Sequence, residues 1–242
     1  MKFEKTEVWG FYHAIRGMRN PLESWYKSDS DYCFNMACED CAIEVINKED
    51  CYMNPSEFVI GKNDLALMQR LIKAGSEHRK FMRQIFISVD ITAPLFWWKE
   101  FSTYKIGTVA NSTSTMHKLA STPITKDCFE MGDFEQVTFS RDCAGVDIML
   151  STQNTWNGIL ADLEALRQKY LETKDKRYWK ELIRLLPESW LQKRTITMNY
   201  ENVLNMIKHR SHHKLTEWSV DFIKWAKTLP YANELLFITK DN

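Results

Sequence analysis

HRKFMRQIFISVDITAPLFWWKEFSTYKIGTVANSTSTMHKL, residues His78 to Leu119, governs how the rest of the chain is read. Ile85, Phe86, Ile87, Val89 and Ile91 form an apolar, β-branched run that predicts a strand, and Ala93-Pro94 breaks it. An aromatic segment around Trp97, Trp98 and Phe101 follows with helical spacing, and after it comes a loop rich in small hydroxyl residues. Aromatics spaced in this way fit either a core face or a stacking surface for a planar ring.

Outward from that stretch, Lys62-Asn63-Asp64 offers an N-cap, and Leu65, Met68, Leu71 and Ile72 give one apolar stripe that stops near Gly75. Further back, Asp31 to Asp50 reads as a helix with Met36, Cys41 and Val45 on one face, and residues 1 to 30 as short helices around Gly17 and Asn20-Pro21. Residues 120 to 145 lack periodicity and read as a loop or short insertion. From Thr155 to Thr173, Trp156, Ile159, Leu160, Leu163, Leu166 and Tyr170 recur with a helical period, and a shorter helix runs from Tyr178 to Leu186. Arg194 to Asn199 alternates as a strand, followed by helices Tyr200 to His209 and Leu215 to Leu229. The mixture is α+β, in one domain over 1–242.

The chain has 242 residues, 44% apolar and 13% aromatic, with 8 Gly and 6 Pro, which describes an ordered protein with a sizeable core. Lys+Arg and Asp+Glu both total 32, so no overall field attracts nucleic acid or a membrane surface, and any phosphate must be met by a local cluster. The charged N-terminus MKFEKTEVWGFYH lacks the apolar core of a secretory signal, and a cytoplasmic protein is expected. Cys33, Cys38, Cys41 and Cys51 form a C-x4-C-x2-C-x9-C pattern. It matches part of a plant-type iron–sulfur loop, but the apolar residues between the thiols favour reduced, half-buried cysteines and leave their role open.

The order strand, Ala93-Pro94-Leu95-Phe96, aromatic helix and hydroxyl loop resembles the flavin-dependent thymidylate synthase family. Placed without gaps, His78 falls on the family's flavin-contacting His and Thr103-Tyr104-Lys105 on the R-H-R triplet of its signature. Thr113 and Ser114 fall near the signature's later Ser and Arg, while Asn111 matches its Asn only after a one-residue slip. A second block repeats the family's L-P…T-x-N-x5-N-x4-R spacing through Leu186-Pro187, Thr197, Asn199, Asn205 and Arg210. The resemblance implies an α+β fold with a central, mostly antiparallel sheet, assembled as a homotetramer whose sites form between subunits. It also implies FAD as cofactor, with dUMP or a related pyrimidine nucleotide, methylene-tetrahydrofolate and NADPH as reactants. His78, Lys105, Asn199, Asn205 and His213 then belong to the flavin, and Glu100, Thr113, Ser114 and Arg210 to the substrate. Neither a protein nucleophile nor a metal is required.

The chain departs from the family where charge matters most. Two of the three basic residues of the triplet are replaced by neutral Thr103 and Tyr104, and the family's Q-W-E-I-R becomes Glu217-Trp218-Ser219-Val220-Asp221, ending in a carboxylate. A relative that has kept the fold and lost the chemistry is the alternative. Residue by residue, bland readings also stand: His78 as a partly exposed helix residue, Asn199 as an N-cap, and Arg210 as a surface cation. His209, His212 and His213 have helical spacing for a shared metal, but their basic neighbours Lys208, Arg210 and Lys214 favour an anion-facing cluster.

Overall fold

The chain forms two units, residues 1–2, 91–103 and 111–195, and residues 3–90, 104–110 and 196–242. The structure, a computed structural model, describes residues 1–33, 58–132, 134 and 137–238. In chain order the named elements begin with β1 (Lys2–Trp9), α1 (Phe11–Arg19), β2 (Asp31–Tyr32), β3 (Phe58–Val59) and α2 (Lys62–Ala74). Next come β4 (Phe86–Pro94), α3 (Leu95–Phe101), β5 (Val109–Ser112), α4 (Thr115–Lys118), β6 (Thr138–Cys143) and β7 (Val146–Ser151). The chain continues through α5 (Thr152–Thr173), α6 (Lys176–Leu185), β8 (Leu191–Asn199), α7 (Tyr200–Arg210), α8 (Ile223–Ala226) and α9 (Ala232–Leu235). One sheet has the order β1-β4-β8-β5, and β2-β3 and β6-β7 are antiparallel pairs.

In the first unit, the aromatic run Trp97, Trp98 and Phe101 is almost wholly buried, which decides for core over a stacking surface. Trp97 stacks on Phe101 at 5.2 Å, the Trp98 indole N–H donates to the Gln192 carbonyl at 2.9 Å, and the Arg194 guanidinium lies 4.3 Å from the Trp98 ring centre. A separate cluster of Leu119, Ile124, Phe129, Leu163 and Leu182 fills the space beneath α5 and α6. Full burial of side chains of this size contributes about 1.5–3 kcal/mol each. Glu164 ties the preceding loop to α5, accepting from the Ile124 N–H at 2.9 Å and twice from Arg167 at 2.7 and 2.6 Å. The Arg167 bonds hold its carboxyl down to about 2.

Two sequence expectations do not hold. The aperiodic region 120–145 contains β6, which pairs with β7 through the two-residue turn Ala144-Gly145. Both turn residues have positive φ, 55° and 82°, the backbone that lets a tight turn follow the twist of its strands. Residues 1–30 are not all helix, for Lys2–Trp9 is a strand in which Lys, Glu and Thr mask the alternation.

In the second unit, α2 begins at Lys62, so the triplet Lys62-Asn63-Asp64 expected to supply the N-cap is already helical and the cap comes from elsewhere. Gly61 stands at the N-cap without a side-chain bond, and the Asp29 carboxylate accepts from the N–H groups of Asn63 and Asp64 at 2.8 and 3.0 Å. Asp64 is thereby turned inward, fully buried. The last helix, read as Leu215 to Leu229, is instead a π-helical turn at Glu217–Phe222 followed by the short α8. Trp218 and Phe222 on that turn are fully buried. Cys33 is buried, whereas Cys38, Cys41, Cys51 and most of the helix expected at 31–50 lie outside the described residues. No helix among the described residues is long and apolar enough to cross a membrane.

Candidate functional site

β8 ends at Asn199, whose side chain caps α7 by accepting from the Asn202 N–H at 3.0 Å, while the Asn202 side chain accepts from the Asn199 N–H at 3.2 Å. This reciprocal box satisfies donors that a helix start otherwise leaves exposed. It also anchors the loop 104–108, since the Asn202 amide donates to the Ile106 carbonyl at 2.7 Å. Gly107 makes that approach possible. Its φ is +77°, and a Cβ there would meet the Asn199 amide nitrogen at 2.9 Å and the Asn202 amide oxygen at 3.0 Å.

In the first turn of α7, the buried Glu201 meets two arginines from the segment before β4. Arg79 donates from Nε to one carboxylate oxygen at 3.1 Å and from Nη2 to the Asn205 amide oxygen at 3.2 Å, and Arg83 donates from Nε to the other carboxylate oxygen. Burial alone would raise the Glu201 carboxyl, but the bonds and charges of Arg83 and Arg79 hold it below the ordinary carboxylate range. A cation pair around one anion leaves net positive charge. Arg79, Arg83, Glu201, Asn199, Asn202 and Asn205, with Ser76, Ile106 and Gly107, line a cavity of about 440 Å³, within the roughly 300–1,000 Å³ of small-molecule sites.

At the other end of α7, Arg210 is held rather than solvated. Its Nε donates to the Tyr104 hydroxyl at 3.0 Å, and its guanidinium lies 5.2 Å from the Trp218 ring centre and 5.7 Å from that of Tyr104. Residues 104 and 210, distant in sequence and drawn from both family-like blocks, are thus in direct contact.

Of the other residues singled out in the sequence, Asn199 and Asn205 share the cavity described above, whereas His78 and Lys105 are exposed and outside its lining. The residue after His78, Arg79, is the one that turns inward. His213 accepts the Leu215 N–H on Nδ1 at 3.2 Å. Glu100, Thr113 and Ser114 belong to the first unit: Glu100 is half-buried on α3, Thr113 donates its N–H to the Lys193 carbonyl at 2.9 Å, and Ser114 caps α4 by accepting from His117 at 3.1 Å. His209 and His212 are exposed, and no metal-binding group of His, Cys, Asp and Glu occurs among the described residues. Two larger cavities of about 600 Å³ each are walled by aromatics such as Tyr12 and Phe58, and neither contains any of these residues.

No family model and no curated protein matches this chain. Solved structures do match it. Thymidylate synthase X (ThyX) from Helicobacter pylori with FAD and dUMP superposes with a TM-score of 0.64 at 15% identity, covering 98% of this chain and 97% of that one. A second structure of the flavin-dependent enzyme from the same organism, also with FAD and dUMP, gives 0.61 at 15% identity and 98% of both chains. The UMP/dUMP methylase PolB from Streptomyces cacaoi, bound with 5-Br UMP, gives 0.51 at 16% identity, covering 73% of this chain and 82% of that one. The fold is therefore that of the flavin-dependent thymidylate synthases. At this identity the likeness is one of architecture, nearly end to end.

Proposed function

We propose that this chain is a divergent flavin-dependent thymidylate synthase-like protein that binds FAD and a pyrimidine nucleotide, dUMP or a relative of it, for one-carbon transfer. The observation that carries the reading is the opening of Asn199 and Asn205 into one cavity beside Arg79. Carboxamides offer both donors and acceptors, which suit the acceptor–donor–acceptor edge of a flavin ring, and the guanidinium groups suit its phosphates. The donor set fits the cofactor. A bound flavin would supply the redox and carrier chemistry, with methylene-tetrahydrofolate as carbon donor and NADPH as reductant. The chain's own task is to bind and orient, Asn199 and Asn205 at the flavin and Arg210 at the nucleotide. As in the resemblance, the working form would be a cytoplasmic homotetramer.

A second reading, a non-catalytic nucleotide-binding relative, is favoured by the 103–105 loop. The Thr103 hydroxyl donates to the Glu100 carbonyl at 2.8 Å and Lys105 is exposed. Calorimetric titration of FAD and dUMP separately tests both readings. Arg210→Ala should weaken dUMP binding by about 1.5–3 kcal/mol, the worth of a charge-assisted contact, with circular dichroism unchanged. Dissociation constants unaltered for both ligands would make Arg210 a structural residue only, and a wild-type protein that binds neither ligand would remove the functional reading altogether.

A further inference from the structure

The Arg79–Glu201–Arg83 unit contains more positive charge than its carboxylate can neutralise. Glu201 and Arg79 are both about nine-tenths buried, while the Arg83 side chain is 52% exposed and faces the same cavity. Burying a cation in this way costs free energy unless it is paired, and Glu201 provides that pairing. A single arginine would have sufficed to balance it. Of a guanidinium's several N–H donors, Arg79 spends one on Glu201 and one on Asn205, and Arg83 one on Glu201. The remaining donors of two side chains fixed in place by one carboxylate form a preorganised anion cradle, with little rotamer entropy left to lose on binding.

We propose that Arg79 and Arg83, held side by side by Glu201, are the phosphate subsite of this cavity and replace the positive charge that the 103–105 loop lacks. The ligand class is a pyrophosphate-bearing dinucleotide, and its phosphates are met from the turn before β4 instead of from the loop after α3. This rests on the flavin reading above for the identity of the dinucleotide, but the anion cradle stands on its own geometry. Glu201 acts here as a positioning residue for the two guanidinium groups.

Fluorescence titration of FAD, FMN and riboflavin separates phosphate recognition from ring recognition. Arg83→Gln, a change at a half-exposed side chain, should weaken FAD binding by about tenfold or more, the loss expected for one charge-assisted hydrogen bond, and leave riboflavin within about twofold. Its FAD affinity should also become less sensitive to salt, and Arg83→Lys should fall between the two. Equal losses for FAD and riboflavin, or no loss for either, would overturn the proposal. Should the wild-type protein bind no flavin at all, the flavin reading fails, and thermal melts with inorganic pyrophosphate decide the cradle. Pyrophosphate that stabilises the wild type but not Arg83→Gln supports it; an equal shift in both, or none, refutes it.

Discussion

Supplied with FAD, NADPH and methylene-tetrahydrofolate, this protein should release tritium from C5-labelled dUMP only weakly, because it should hold dUMP poorly. In the resemblance, residues 103–105 carry two arginine forks. Here the Thr103 hydroxyl is spent on Glu100, the Tyr104 hydroxyl accepts from Arg210, and Lys105 is an exposed point charge without a planar fork. Two lost bidentate contacts at about 1.5–3 kcal/mol each lower affinity by roughly two to four powers of ten. A misplaced substrate loses about 100-fold more in rate. Asp221, where the family pattern has an arginine, adds a carboxylate that disfavours a phosphate. Thr103→Arg combined with Asp221→Arg should therefore raise dUMP affinity. Rapid, folate-dependent tritium release by the wild-type protein would show that dUMP is held well without those arginine forks.

The largest effect on stability should come from Asp64→Ala. Asp64 is fully buried and accepts from Arg19 Nε at 2.6 Å, the hydroxyls of Ser28 and Ser30 at 2.7 and 2.6 Å, and the Asp29 N–H at 3.1 Å. Arg19 reaches on to the carbonyls of Ser24 and Lys27 at 3.2 and 3.1 Å, so one ion pair joins the end of α1, the segment 24–30 and the start of α2. Removing the carboxylate strands a buried guanidinium and two hydroxyls, at a cost of about 3–5 kcal/mol in denaturant unfolding. A loss below about 1 kcal/mol would contradict that reading. Burial works to raise the Asp64 carboxyl, but its bonds to Ser30, Ser28 and Arg19 outweigh this and hold it below the usual range. A depressed folded-state pKa gives stability that is fully present above the unfolded value of about 3.9 and is lost as pH falls through the folded one. Melting temperatures of the wild type should accordingly drop below about pH 4 more steeply than those of Asp64→Asn.

What could be read in the sequence was whatever has a strong period or a fixed spacing. The run Ile85 to Ile91 became β4, the apolar positions of 155–173 became α5, and Asn199 stands where a strand gives way to a capped helix. β1 was hidden because it has no continuous buried face to impose alternation on its sequence. The cap of α2 was misread because its acceptor, Asp29, lies more than thirty residues upstream, and only tertiary folding brings it there. The same holds for the site. Spacing singles out Asn199, Asn205 and Arg210 as candidates, but Arg79 and Arg83 belong to no motif and gain meaning only beside the buried Glu201. His78 holds the histidine's place in the family frame, while the side chain that turns inward is one residue later. No periodic signal distinguishes those neighbours within an irregular turn.

A flavin site in the cavity at the start of α7, as proposed, should show in the visible absorbance of protein incubated with FAD and separated from free ligand by gel filtration. Flavin bands should travel with the wild-type protein, and Asn205→Leu, which removes the carboxamide that Arg79 orients, should strip most of them without unfolding the chain. Flavin that elutes entirely with the small molecules, or that binds Asn205→Leu as well as the wild type, would contradict it.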